Sequence, residues 1–276
     1  MSVLSIIAKL LPASVVHRIN RLQYQLPFLQ PLIQKAASSL RRGPHTIEHG
    51  VAKGLTFDPQ GGNPGYALGT SGLAEQNILA KHLQRGQVFY DLGANKGFYA
   101  IIGAHLVGPK GLVYAFEPFP KSAAAIRANA DLNDFDNIAI WEAAVSSETK
   151  TEQFVIEGDS IGFKLANSHT HHTTGKAKKI NVDVYAIDDL VDSNRLQPPD
   201  FVMMDVEGSE VSALWGMEKT IRTFRPAILC EVHWIHEDFR TLVDQLFTPL
   251  NYNVSQIDGS PLPETPSYFH ALMTPQ

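Results

Sequence analysis

The residues of this chain with the types and spacing for chemistry begin with Asp91-Leu92-Gly93-Ala94-Asn95-Lys96-Gly97, directly after the apolar run Val88-Phe89-Tyr90. Gly93 and Gly97 carry no Cβ, so the backbone can turn sharply there and a ligand can come close to it, while Asp91 offers an acceptor at a strand end. A dinucleotide site needs G-x-G-x-x-G to seat a pyrophosphate on a helix N-terminus. With Gly93 in first place, Asn95 and Phe98 occupy the other two. The phosphate loop G-x-x-x-x-G-K-[ST] is missing too, because Phe98 and Tyr99 follow Gly97. What remains suits a nucleoside that carries a charged amino acid and no phosphate.

Glu117 ends the next apolar run, Leu112-Val113-Tyr114-Ala115-Phe116. An acid at that place can accept both hydroxyl protons of a ribose, and Pro118 and Phe119 can flank a base; the alternative is that Glu117 caps the following helix. A further group is Asp205, Glu207, Glu231 and His233, at and just beyond the ends of two apolar runs. His233 has the side chain whose ordinary pKa suits a general base at neutral pH, and its alternative role is a packed strand-end histidine bonded to a carbonyl. These four side chains also form an oxygen-rich donor set of the kind that suits magnesium or calcium, although strand-end acids arise equally from helix capping, so a metal is not the favoured reading. His169, His171 and His172 invite a zinc reading, but no Cys or acid lies at ligand spacing, and a solvated loop or a lid over the acceptor fits better. Asp188 and Asp189 read as helix-capping residues.

Strands and helices must alternate to bring these groups together. The patterns predict strands over 88–92, 112–116, 138–143, 201–206 and 227–233, with helices over 98–107, 121–132, 209–224 and 237–246. Such alternation specifies a parallel sheet with crossover helices, whose ligands sit beyond the carboxyl ends of the strands. Two β-prone runs, 153–156 and 180–186, interrupt it as a hairpin insertion, and runs over 252–257 and 268–273 close the chain as an antiparallel pair. Residues 1–72 read as an N-terminal helical and turn-rich extension, and 73–276 as the main domain. Val3, Leu4, Ile6, Ile7, Leu10 and Leu11 recur at near-helical spacing, so this helix packs on the domain or a second subunit, or lies on a membrane surface. No run reaches the roughly 20 apolar residues that span a bilayer.

A chain of 276 residues that is 44% hydrophobic can bury one large core. Its net charge of −5 argues against a grip on nucleic acid, which needs a basic face to neutralise phosphates. The lone Cys230 sits in an apolar run, cannot form an internal disulfide and fits a reducing cytoplasm.

Taken together, 88–98, Val113-Tyr114-Ala115-Phe116-Glu117-Pro118, Arg127-Ala128-Asn129-Ala130-Asp131-Leu132-Asn133, Met204-Asp205-Val206-Glu207-Gly208-Ser209-Glu210 and Glu231-Val232-His233 resemble the FkbM family of class I methyltransferases. The resemblance implies a Rossmann-like fold with a seven-strand, mostly parallel sheet whose last strand is antiparallel. It also implies S-adenosylmethionine as cofactor and O-methylation of a hydroxyl on a sugar, glycan or related natural product. On that footing Asp91, Gly93, Asn95, Gly97, Glu117, Pro118 and Ala144 hold the cofactor, and Asp205, Glu207 and His233 serve the acceptor. Rival readings are a small-molecule or amine methyltransferase and a non-catalytic cofactor-binding scaffold. One departure stands out: Met203 occupies a position where the family often has Lys.

Overall fold

The computed structural model describes residues 11, 15, 37–156, 164–165, 178–265 and 268–276. The apolar N-terminal segment, apart from Leu11 and Val15, and the loop with His169, His171 and His172 lie outside these residues.

Strand β3 (Val88–Leu92) is buried along its whole length, as a central parallel strand covered on both faces must be. It is followed by α3 (Phe98–Val107), β4 (Leu112–Phe116), α4 (Pro120–Asp131) and β5 (Ile138–Trp141). After the insertion come α5 (Ile187–Asp192), β10 (Phe201–Met204), α6 (Glu210–Trp215), α7 (Glu218–Phe224), β11 (Ala227–His233) and α8 (His236–Leu242). The chain closes with β12 (Tyr252–Gln256) and β13 (Tyr268–Pro275). The 7-stranded sheet has the order β12-β13-β11-β10-β3-β4-β5. Its strands are parallel from β11 to β5, while β13 runs antiparallel between β11 and β12. That is the class I methyltransferase arrangement, with the last strand inserted beside the fifth.

The functional consequence lies between β3 and β10. From β3 the chain winds outward through β4 and β5, then returns to place β10 on the other side of β3, with Asp91 beside Met203 and Leu92 beside Met204. A sheet opens a crevice at such a reversal, where the two neighbouring loops leave in opposite directions. Asp205 N donates to Leu92 O (2.9 Å), so the two motif-bearing loops leave the sheet side by side.

The expected helix over 209–224 is two helices. Gly216 passes so close to the Ser146 carbonyl that any Cβ would overlap it, and Asp188 accepts the N–H groups of Lys219 (2.9 Å) and Thr220 (2.8 Å), giving α7 its own N-cap. Asp188 therefore caps a neighbouring helix and not its own. The third strand stops at Trp141, because Ala144–Val145 forms a separate strand, β6, parallel to Val184–Tyr185. With β7 (Lys150–Ile156), β8 (Lys164–Leu165) and β9 (Lys178–Tyr185) it forms a 4-stranded sheet, larger than the expected hairpin.

Upstream, β1 (His45–Thr46) and β2 (Thr56–Phe57) pair ahead of α1 (Pro64–Leu68) and α2 (Leu73–His82). The Phe57 ring meets Phe98 edge-on at 5.4 Å, and Tyr66 stacks on Phe98 at 4.4 Å. Asn129 and Asn133, on and just after α4, bond this segment as a strand partner would: Asp58 N donates to Asn129 Oδ1 (2.8 Å) and Thr56 N to Asn133 Oδ1 (2.8 Å). Among the described residues no helix is long and apolar enough to cross a membrane.

Candidate active site

The loop after β3 is built on left-handed backbone: φ is +89° at Gly93, +51° at Asn95 and +84° at Gly97. Gly93 N and Ala94 N both donate to Phe116 O (3.0 and 2.9 Å), which pins the loop to the end of β4. A Cβ at Gly93 would overlap the Asp205 carbonyl oxygen, so glycine is required by the neighbouring strand as well as by φ. Gly97 instead packs on Ile126 of α4, where an added Cβ would lie 3.0 Å away.

Asp91 lies beneath the loop, and its Oδ2 is buried without a hydrogen-bond partner. Burial pushes its carboxyl up to about 7, against the opposing pull of the Ala100 N–H. Glu117 is also buried, and its two oxygens accept the N–H of Asn95 (2.8 Å) and of Phe119 (2.9 Å). Burial raises Glu117 to about 7 despite these bonds. Phe119 is the N-cap of α4, so the capping role is real. It does not exhaust the group, because an ionised carboxylate offers about four acceptor positions and two are used.

A cavity of about 320 Å³ opens over this loop, and Gly93, Asn95, Glu117, Pro118 and Ala144 line it together with Asp205 and Glu207. Of the other expected site residues, Asp91, Gly97 and His233 do not line it: the first two shape the loop from below, and His233 stands behind Asp205. Gln60, Gly62, Asn63 and Tyr66, from an upstream run that resembles family members but was not expected at the site, form a lip, and Lys96 Nζ ties the loop to it by donating to Gln60 O (3.0 Å). Phe154, from the inserted sheet, closes another side. Nothing local in the sequence places these residues at the cavity, since their place depends on Asn129 and on the insertion folding back.

Beyond Asp205 the acids converge on His233. Its Nδ1 is 2.7 Å from Glu210 Oε1, and its Nε2 is 3.3 Å from Glu231 Oε1 and 3.8 Å from both Asp205 Oδ1 and Glu207 Oε2. Glu231 also accepts from the Tyr268 hydroxyl and lies 3.1 Å from His270 Nε2, which is itself 3.1 Å from Glu75 Oε1. Burial disfavours charge on His233, but the hydrogen bonds to Glu210 and Glu231 outweigh it and push the imidazole up to about 10. Burial works against Glu231 as well, yet bonds from His233, His270 and Tyr268 hold it well below the usual carboxylate range. Asp205 moves the other way, raised well above its ordinary value by burial and by the nearby charges of Glu231 and Glu207. Its carboxylate neighbours thus favour the protonated imidazole, a pull on His233 that its ordinary pKa does not include. Sequence showed the histidine but not Glu210, the buried carboxylate that charges it.

The model of the methyltransferase FkbM domain matches residues 91–257, from the buried acid under the glycine loop to the turn after β12. The chain belongs to the FkbM methyltransferase family. Among its relatives is the hexuronic acid methyltransferase AglP of Haloferax volcanii, 27% identical over 159 residues, which are 56% of this chain and 60% of that protein. Another is the 2-O-methyltransferase NoeI of Sinorhizobium fredii, 27% identical over 168 residues, covering 56% and 68% of the two chains. A solved FkbM methyltransferase from Methylobacillus flagellatus aligns over 75% of this chain and 54% of its own, at 17% identity and a TM-score of 0.45. The match to AglP spans less than two thirds of that relative's length. Within the FkbM domain, Met203 points into the core with Phe89 and Leu229 and is absent from the cavity wall, so the departure from the family's usual Lys falls inside the fold.

Proposed function

We propose that this protein is an S-adenosylmethionine-dependent O-methyltransferase acting on a hydroxyl of a sugar, glycan or related natural product. The observation that carries this reading is one cavity in which the glycine loop and Glu117 share a wall with Asp205 and Glu207. When bound, S-adenosylmethionine supplies a methyl group activated by a sulfonium. The residues fit that group: Glu117 has acceptor positions left for two ribose hydroxyls, Pro118 and Ala144 lie where the base would rest, and the acids Asp205 and Glu207 on the wall suit a cationic ligand. Asp91 and Gly97 act from beneath by shaping the loop. The choice of hydroxyl acceptor is supported by the names of the relatives, a hexuronic acid methyltransferase and a 2-O-methyltransferase.

A hydroxyl is a weak nucleophile, so the protein must hold its oxygen in line and remove its proton. Asp205 lines the cavity and has a raised affinity for a proton, so it is the group that receives it. Glu207 borders the acceptor from the same loop, and His233, charged by Glu210, fixes both acids from behind. Calorimetry with S-adenosylhomocysteine, NAD and ATP tests the cofactor, and mass spectrometry of uronic acids, other sugars and amines incubated with S-adenosylmethionine tests the acceptor. Tight NAD binding without S-adenosylhomocysteine binding defeats the proposal. Cofactor binding with no slow turnover on any acceptor makes the protein a non-catalytic binder, and methylated amines in place of sugars overturn the acceptor.

A further inference from the structure

We infer that Asp205, Glu231 and His233 form a binding site for one divalent cation of the magnesium–manganese class. The site is placed to hold the acceptor hydroxyl, a use that rests on the activity proposed above.

The histidine points to an ion most directly. Its Nδ1 is fixed by Glu210 Oε1 at 2.7 Å, and Glu210 is fully buried and anchored in turn by the Gly208 N–H (2.9 Å). A histidine whose second nitrogen is held by a buried carboxylate is the usual support of a metal ligand, because it sets the tautomer and aims the free nitrogen. Here Nε2 faces oxygens of three different carboxylates.

The spacing brings the donors close to what a cation needs. Donors about 2.0–2.3 Å from an ion and roughly 90–110° apart lie about 3–3.8 Å from one another. His233 Nε2 is 3.3 Å from Glu231 Oε1 and 3.8 Å from Asp205 Oδ1, and one donor atom from each of the three residues lies within 4.8 Å of the others. Glu207 Oε2, also 3.8 Å from Nε2, stands as a further donor. Asp205 Oδ1 is shut off from solvent and accepts no hydrogen bond, an orphan that a cation would satisfy. Glu231 is oriented by the Tyr268 hydroxyl and by His270, as ligating carboxylates commonly are.

Charge favours the same conclusion. Asp205, Glu207, Glu210 and Glu231 surround a single imidazole, and among the described residues no Lys or Arg forms an ion pair with any of them. Even with His270 counted beside Glu231, the carboxylates outnumber the imidazoles. Three carboxylates and one imidazole without a thiolate form the oxygen-rich set that magnesium and manganese accept. A cation there would take the place of the His233 proton, bind Asp205 through Oδ1 and acidify a coordinated hydroxyl. The second oxygen of Asp205 would remain to receive the proton.

The test is a titration of metal-stripped, full-length protein with Mn²⁺, followed by electron paramagnetic resonance and calorimetry, with S-adenosylhomocysteine titrated in parallel. The expected result is one bound Mn²⁺ per chain, weakened at least tenfold in His233→Ala and in Glu231→Gln. Glu210→Gln, which removes no ligand, should weaken it by about 10–100-fold. Thermal melts show which variants fold, and Glu231→Gln decides the matter if His233→Ala does not. Wild type that binds no Mn²⁺ at millimolar concentration overturns the site, as does equal binding by wild type and both ligand variants. S-adenosylhomocysteine binding without Mn²⁺ binding removes the cation and leaves the proposed activity standing, whereas Mn²⁺ binding without S-adenosylhomocysteine does the reverse.

Discussion

Replacing Glu117 with alanine separates its two roles, because the structure assigns each a different observable. The carboxylate accepts the N–H groups of Asn95 and Phe119, and each loses a charged hydrogen bond worth roughly 1.5–3 kcal/mol. Against this, the variant no longer buries an acid that holds its proton to about 7 in place of 4.5, which returns roughly 3 kcal/mol at alkaline pH. Because that shift already includes the two hydrogen bonds, the stability loss should be no more than about 3 kcal/mol, which chemical denaturation above pH 8 measures. Cofactor binding has no such offset. Losing the acceptor for the ribose hydroxyls should cost roughly 1.5–3 kcal/mol, a 10- to 150-fold weaker affinity for S-adenosylhomocysteine by calorimetry. A folded variant with unchanged affinity would refute the ribose role and leave Glu117 as a cap of α4 only. A variant that fails to fold would refute the offset, since it would mean that the two amides carry more than the buried charge costs.

The pH dependence follows from the same burial. Asp91 and Glu117 have folded pKa values near 7, above their ordinary 3.8 and 4.5, so the folded state keeps protons that the unfolded chain gives up. Their contribution to stability should be complete below about pH 4 and fall as pH rises to 7. Affinity for S-adenosylhomocysteine should climb from pH 6 to 8 as Glu117 ionises, and Glu117→Gln should flatten that climb; a fall over the same window contradicts the assignment. Gly93→Ala combines left-handed strain with overlap on the Asp205 carbonyl, so denaturation should show a loss of about 2–5 kcal/mol, and a neutral result would mean that the two loops do not meet as described. Asp205→Asn, which removes the proton acceptor, should keep S-adenosylhomocysteine affinity within a few-fold and lower turnover by roughly 10²–10⁴-fold, and His233→Ala, which removes only its support, should keep that affinity and lower turnover less. Loss of cofactor affinity along with activity would move the residue concerned to the binding pocket.

Much of this was legible without coordinates, because it depends on local spacing. The apolar runs that became β3, β4, β10 and β11 are long enough to specify buried strands. A loop with Gly93 and Gly97 needs left-handed backbone whatever surrounds it. The acids at Glu117 and Asp205 follow from their places just past strand ends. Other features were set by contacts between distant parts of the chain. Helix 209–224 divides because Gly216 meets Ser146 and Asp188 supplies a cap, neither of which is close to it in sequence. The lip of Gln60, Asn63 and Tyr66 reaches the cavity through the buried side chain of Asn129. The surroundings of His233 were not legible locally either. Its ordinary pKa is a property of the side chain alone, whereas in the fold Glu210, brought in by a helix, and Glu231, two positions earlier on the same strand, pull it upward. Sequence thus determined which groups stand at the carboxyl edge of the sheet. Only the packing of α6 against β11, and of β13 beside it, decided which of them share a proton, because a pKa depends on burial and on neighbours a few ångströms away.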